Sequence, residues 1–418
     1  MRDLPGGISF GFGRIWFTRP KNCCTIWNVR VFPRKNEKKR FPMNDRYCVP
    51  CLLGLEGLVA DELRRMDLQE VRAENGRVYF IGGPEAAVKA NLRLRTGERV
   101  LLELGSFEAR SFEELFEGAR ALPWERWIPK DAAFPVVGHS LNSQLASVPD
   151  CQRILKKAVV ERLKQKYRLQ WFPEAGETMQ IRFSIMKDRV SLCLDTSGEG
   201  LHKRGYRPAH NLAPLRETLA AAMVTLSRYR GRDEFCDPFC GSGTIPIEAA
   251  LIAMNRAPGL KRSFAAMDWR IWDKALWQQA RQEAMAAEYH GDYRILGSDI
   301  DPRSLAIAHE NAQRAGVDGL IRFEQADAAA FDRKTDRGVI VTNPPYGERL
   351  GEKEQAEALY RDFGAALSRC ENWQLYLLSS HTEFERCFGR PADKKRKLYN
   401  GMIKCDLFMY YKDREQGK

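Results

Sequence analysis

Four short stretches end apolar runs with residues that could do chemistry. In 237-DPFCGSGT-244 an apolar run ends in Asp237, and a turn rich in small residues leads into a helical pattern. Gly241 and Gly243 let backbone approach a ligand closely, with Phe239 and Thr244 bracketing the turn. Without a Gly-Lys-Ser/Thr sequence the turn is no NTPase phosphate loop. An acid at the strand tip disfavours pyrophosphate and suits an amino group. In 297-GSDIDP-302, Asp299 can take both hydroxyls of a ribose, beside Ile300. Asp301 is the alternative, or else the cap of the helix that follows. Asp327 closes a third run and could accept from an adenine amino group. Three carboxylates at three successive strand ends fit a nucleoside ligand.

The fourth stretch is 341-VTNPPYGERLG-351. Prolines remove ladder donors, so the strand stops here and the loop is rigid. The Asn343 side-chain oxygen and the Pro344 carbonyl can each accept one N–H of an exocyclic amine. That localises the nitrogen lone pair and aims it at an electrophilic methyl group. Tyr346 offers a face on which a flipped base could stack.

Elements must hold these residues along one edge. From about 211 onward strand and helix patterns alternate: strands at 233–239, 293–300, 320–327, 338–343 and 373–380, with helices at 213–226, 244–255, 302–315 and 353–369. This predicts a parallel sheet covered on both faces. In 396-RKLYNGMIKCDLFMYY-411, Asn400-Gly401 between apolar runs predicts a closing antiparallel hairpin. A segment at 256–292, with Trp269, Trp272 and Trp277, separates the first two strands and is expected to be a helical insertion.

Residues 43–205 mix short strands (77–82, 99–107, 133–140, 179–195) with helices at 111–120 and 150–167. The last is amphipathic. Ile154, Leu155, Ala158, Val159 and Leu163 form its apolar stripe, and Arg153, Lys156 and Lys157 lie on a basic face expected to be free for phosphates.

The net charge of +12 is uneven: residues 1–42 carry +8 and the other 376 only +4. Residues 1–42 lack the apolar core of a signal peptide and any clear period, so they are expected to be a disordered basic extension, with the working chain starting at Met43. Eleven scattered cysteines, an odd number, argue against a disulfide framework and for a reducing compartment, the cytoplasm. The lone pair Cys48/Cys51 has no second pair or histidine cluster to complete a zinc site, so no metal is expected. No apolar run reaches the roughly 18 residues that a membrane span needs.

The motifs DPFCGSGTIPIEAA, GSDIDP, NPPYGERLG and KLYNG resemble those of class I S-adenosylmethionine-dependent RNA methyltransferases with an N-terminal THUMP domain, nearest to the bacterial large-subunit rRNA guanine-N2 type. The resemblance covers about 43–418. It implies a Rossmann-like seven-stranded sheet with a C-terminal hairpin over 206–418, preceded by a ferredoxin-like plus THUMP RNA-binding part over 43–205. It implies S-adenosylmethionine as cofactor, with Asp237, Gly241, Asp299 and Asp327 lining its pocket, and Pro214 and Arg216 closing over its methionine end. It implies RNA as partner, held in part by Lys156 and Lys157. Two other readings stay open on the residues alone: a DNA adenine-N6 methyltransferase, since Asn-Pro-Pro-Tyr does not separate one amine from another, and a non-catalytic RNA-binding protein.

Overall fold

The computed structural model describes residues 45–207, 215–347 and 352–411. The basic extension, the Met43 start and Pro214 lie outside them. The first half runs β1 (Asp45–Pro50), α1 (Glu56–Arg65), β2 (Gln69–Glu74), β3 (Arg77–Gly82), α2 (Pro84–Arg93), β4 (Leu101–Glu108), α3 (Phe112–Ala121), β5 (Val136–Leu141), α4 (Val148–Tyr167), β6 (Ile181–Met186) and β7 (Arg189–Asp195). Its strands form one sheet, ordered β2-β3-β1-β4-β7-β6-β5. Alternation sends Tyr47 and Val49 of β1, Val78 and Phe80 of β3, and Leu192 and Leu194 of β7 into the main core of this half. The single strand expected over 179–195 is a hairpin: Lys187 and Asp188 take positive φ and turn β6 back into β7.

The second half runs α5 (Glu217–Leu226), β8 (Glu234–Asp237), α6 (Thr244–Ala253), α7 (Ala275–Ala286), β9 (Ile295–Asp299), α8 (Pro302–Ala315), β10 (Ile321–Gln325), β11 (Gly338–Thr342), α9 (Glu352–Ser368), β12 (Trp373–Ser379), α10 (Phe384–Phe388), β13 (Lys394–Asn400) and β14 (Ile403–Tyr410). The sheet order is β10-β9-β8-β11-β12-β14-β13, parallel except for the pairings made by β14. Helix α8 shows how the sequence sets an element. Asp301 caps its N-terminus, Pro302 takes the first turn, Leu305, Ala308, Ala312 and Ala315 bury one stripe, and Gly316 ends it in the left-handed conformation.

Two features depart from the sequence expectation. The hairpin register pairs Asn400 with Ile403, so the two-residue turn is Gly401-Met402 and Asn400 is the last residue of β13. Gly401, at φ 65°, occupies the first turn position. The 256–292 insertion contains α7, but Trp269, Trp272 and Trp277 pack into the core of the first half. Conversely, Leu55, which precedes α1, packs into the core of the second. Among the described residues no helix is long and apolar enough to cross a membrane.

Candidate active site

Strand order reverses between β8 and β11, and at such a switch point open α/β sheets bind their ligands, outside the carboxyl ends of the strands. Asp237 ends β8 on one side; Thr342 ends β11 on the other. The Thr342 hydroxyl donates to Asp237 Oδ1 at 2.6 Å, and the Phe239 backbone N–H donates to the same oxygen at 3.2 Å. Asp237 is 1% exposed. Burial pushes its carboxyl up to about 7, with the nearby Asp299 adding to the rise and the two donors opposing it.

Asp299 ends β9 and bridges the glycine-rich turn. Its Oδ2 accepts from the Gly241 N–H at 2.9 Å and its Oδ1 from the Asp301 N–H at 3.0 Å. The Asp301 side chain accepts from the Arg303 N–H and the Ser304 hydroxyl, and these bonds hold its pKa below the usual carboxylate value. It caps α8. Ile300 between them is 65% exposed. Asp327 lies two residues beyond β10, exposed, and caps a short turn by accepting from Ala329 N–H at 2.9 Å.

The turn itself has room for a ligand. Gly241 and Gly243 take φ 50° and 79°. A Cβ at Gly241 would meet nothing within 4 Å, so the space before it is open; at Gly243 it would press on Ala308 Cβ at 3.0 Å. One glycine leaves a cradle and the other lets α6 sit close against α8. Thr244 starts α6, buried, 3.4 Å from Arg207 Nη1. Half-buried Phe239 meets Phe363 edge-on. An open cradle, an exposed aliphatic beside a strand-end carboxylate and a buried carboxyl thus line one edge of the sheet. Arg216 is exposed at the start of α5, 3.6 Å from Glu98, so its charge is already partly met.

Asn343 follows Thr342 directly. Buried Pro344 comes next, and the Pro345 carbonyl accepts from the Tyr360 hydroxyl at 2.6 Å, which also lies 3.3 Å from Ser379. Tyr346, expected to offer a stacking face, is only partly exposed. The ring is half-buried against the second-half core, and its hydroxyl donates to Asn343 Oδ1, the acceptor meant for the substrate amine. Asn400 Nδ2 reaches the same hydroxyl at 3.5 Å. Burial pushes the Tyr346 pKa well above the phenol range, so this hydroxyl remains a donor. The sequence reading gives Thr342, Tyr360 and Ser379 no role, and Asn400 only that of a hairpin residue. Only Thr342 carries a signal there, as a polar residue closing an apolar strand.

The basic face of α4 is also less free than expected. Lys156 Nζ lies 2.5 Å from Glu174 and 3.2 Å from the Phe134 carbonyl, over the Phe134 ring. Arg153 pairs with Asp150. Lys157 is exposed, 5.8 Å from the Phe116 ring. A shallow groove of about 560 Å³ runs past these side chains beside the edge strand β5.

Strand order, hairpin and carboxyl-edge acids together define a class I methyltransferase. Family models match in three consecutive parts: an RlmL ferredoxin-like domain at 46–101, a THUMP domain at 109–195 and an RMKL-like methyltransferase domain at 204–408. The chain is 48% identical to YpsC of Bacillus subtilis, a candidate RNA methyltransferase, over 88% of this chain and 96% of that one. It is 35% identical to the ribosomal RNA large subunit methyltransferase K/L of Psychromonas ingrahamii, over 87% of this chain but only 50% of that protein, so it spans about half the length of such relatives. Among solved structures, a Listeria monocytogenes protein described as a predicted N6-adenine-specific DNA methylase superposes with a TM-score of 0.84 at 46% identity, covering 88% and 96% of the two chains. SMU.472, a candidate methyltransferase crystallised with S-adenosylhomocysteine, superposes at 0.85 with 40% identity, covering 89% and 99%. The chain belongs to the THUMP-domain family of S-adenosylmethionine-dependent RNA methyltransferases, and S-adenosylmethionine is its cofactor.

Proposed function

We propose that the protein methylates an exocyclic amine of an RNA base, guanine N2 in large-subunit rRNA, with residues 43–205 holding the RNA and 206–418 carrying the reaction. One observation carries the reading: the Asn343 amide stands at the switch point, one residue from the Thr342–Asp237 bond. Bound S-adenosylmethionine supplies an electrophilic methyl group and keeps the broken C–S electron pair on sulfur. Asp237 would hold the cofactor's ammonium, Asp299 its ribose, and Ile300 and Asp327 its base. Asn343 Oδ1 and the Pro344 carbonyl accept the two N–H groups of the substrate amine and direct its lone pair. The methylated nitrogen, cationic after attack, loses one proton to water. The Tyr346 hydroxyl takes one of the two lone pairs of Asn343 Oδ1, so an incoming amine either bonds the other or displaces the hydroxyl, and the exposed part of the tyrosine ring offers the base a surface to stack on.

Mass spectrometry of rRNA nucleosides from cells with and without the protein tests this. One N2-methylguanosine should disappear from the large subunit in its absence. Loss of N6-methyladenosine, or of a modified base in DNA, overturns the guanine assignment.

For the α4 groove, Lys157→Ala should flatten the salt dependence of rRNA binding by about 0.7–0.9 in log–log slope, the share of one phosphate. Lys156→Ala should change the slope less, because Glu174 already meets its charge. Filter binding between 50 and 200 mM salt distinguishes them; equal slopes for both variants would place the RNA elsewhere.

A further inference from the structure

The β13–β14 hairpin is the edge of the second sheet, and its two faces differ. On the inner face Leu398 is fully buried, Arg396 donates to the Gly54 carbonyl, and Asn400 reaches the Tyr346 hydroxyl. These contacts fix the hairpin against the first half and against the catalytic loop. The other face carries Lys395, Lys397 and Tyr399 of β13; Asp406 and Lys404 lie opposite the last two, and Phe408, opposite Lys395, is buried on Phe384, so the open part of this face runs from Lys397 to the turn. Residues 394–404 hold five basic side chains and no acid. Lys395 pairs with Glu385. Lys397 faces Asp406 in register, but among the described residues neither Lys397 nor Lys404 has a carboxylate within ion-pair distance. At the tip Met402 is 98% exposed, the most exposed large apolar side chain among the described residues. It is two residues from Asn400, so its Cα lies within about 7.6 Å of a residue that touches the catalytic loop.

We propose that this hairpin receives the RNA that flanks the target nucleotide. Lys397 and Lys404 hold its phosphates, Tyr399 offers a partly exposed ring between them, and Met402 enters the base stack where the target has left it. This rests on the assignment of an RNA base to the Asn343 site. The charge pattern selects the partner. Lysines outside any ion pair around one aromatic ring, with Asp406 as the single carboxylate among them, fit a polyanion with π-faces. A fully exposed methionine at the tip of a two-residue turn fits the wedges that proteins insert between bases. Flipping costs a few kcal/mol in structured RNA and least where the base is already unpaired, so a wedge matters only for the former.

The test uses the full chain, tritiated S-adenosylmethionine, and two RNAs: an unmodified large-subunit transcript and a short single-stranded fragment spanning the nucleotide it labels. If the unaltered protein labels neither, the proposed function fails, and the hairpin is not at issue. If it labels them, the Lys397→Ala/Lys404→Ala protein should need more RNA for half-maximal rate. Its salt slope should flatten by up to about 1.4, two phosphates at ~0.7 each for a single strand. Cofactor affinity by calorimetry should be unchanged. Met402→Ser should slow single-turnover transfer roughly tenfold on the folded transcript and spare the single-stranded fragment. Unchanged half-saturation and salt slope in the double variant overturn the proposal. So does weakened cofactor binding, which would mark the hairpin as a structural prop. Equal rates for Met402→Ser and the unaltered protein on the folded transcript overturn the wedge.

Discussion

Asn343→Ala should lower the methyl-transfer rate by about 10²–10³-fold while RNA and S-adenosylmethionine still bind. The scale is that of removing one preorganised polar group from a reaction centre. The loop should survive the change, since buried Pro344 and the Tyr360 bond to the Pro345 carbonyl hold it independently of the asparagine. Tyr346→Phe is the companion. It deletes the hydroxyl that occupies Asn343 Oδ1 and keeps the ring. Transfer should persist in that variant, because stacking needs only the ring. Single-turnover rates with saturating RNA decide. An Asn343→Ala enzyme within a few-fold of the parent would remove the amide from the reaction, and a Tyr346→Phe enzyme as slow as Asn343→Ala would give the hydroxyl a role that stacking does not explain.

Asp237→Asn should separate stability from binding. In the unfolded chain an aspartate titrates near 3.9. Burial, with Asp299 nearby, lifts Asp237 to about 7 in the folded protein. A raised pKa means that the folded state favours the protonated form. That contribution is complete below about pH 4 and is lost as pH rises through about 7. The cofactor-free protein should therefore melt progressively lower between these values. Asparagine can still accept from Thr342 and carries no buried charge, so the variant should melt higher than the parent at pH 8 and gain little at pH 4. Its cofactor affinity should nonetheless fall roughly 10–100-fold, the loss of one charge-assisted bond of about 1.5–3 kcal/mol. Thermal melts at the two pH values and calorimetry test both halves. An affinity equal to the parent's would mean that the ammonium sits elsewhere.

Sequence reasoning locates Asp237, Asp299 and Asn343 because each ends an apolar run, and strand ends are local events. It favours Asp299 for the ribose, as the residue on which the strand ends, and offers Asp301 as the cap of the next helix; the hydrogen bonds to Arg303 and Ser304 show that capping geometry directly. What it does not reach is set by distant chain. The α4 stripe tells which lysines avoid the core, but Glu174 and Phe134 arrive at Lys156 from 18 and 22 residues away. The hairpin signal Asn-Gly is real, but the turn sits one residue later, since register is a property of two strands. That single-residue step moves Asn400 from the loop onto a strand face, where it meets Tyr346.

The exchange of Leu55 and the three tryptophans between the two cores has a consequence for synthesis. A chain emerging from the ribosome can assemble the sheet of strands β1 through β7 early, but the side of that sheet that packs on helices keeps part of its apolar surface in water until Trp277 is out. By then the first strand of the second sheet, β8, has also emerged, while its other six have not. Neither half can close its core alone, so the nascent chain carries a long interval of exposed apolar surface and a high contact order. Chaperone dependence during synthesis, and poor yields from fragments cut near residue 205, follow from where those four side chains pack.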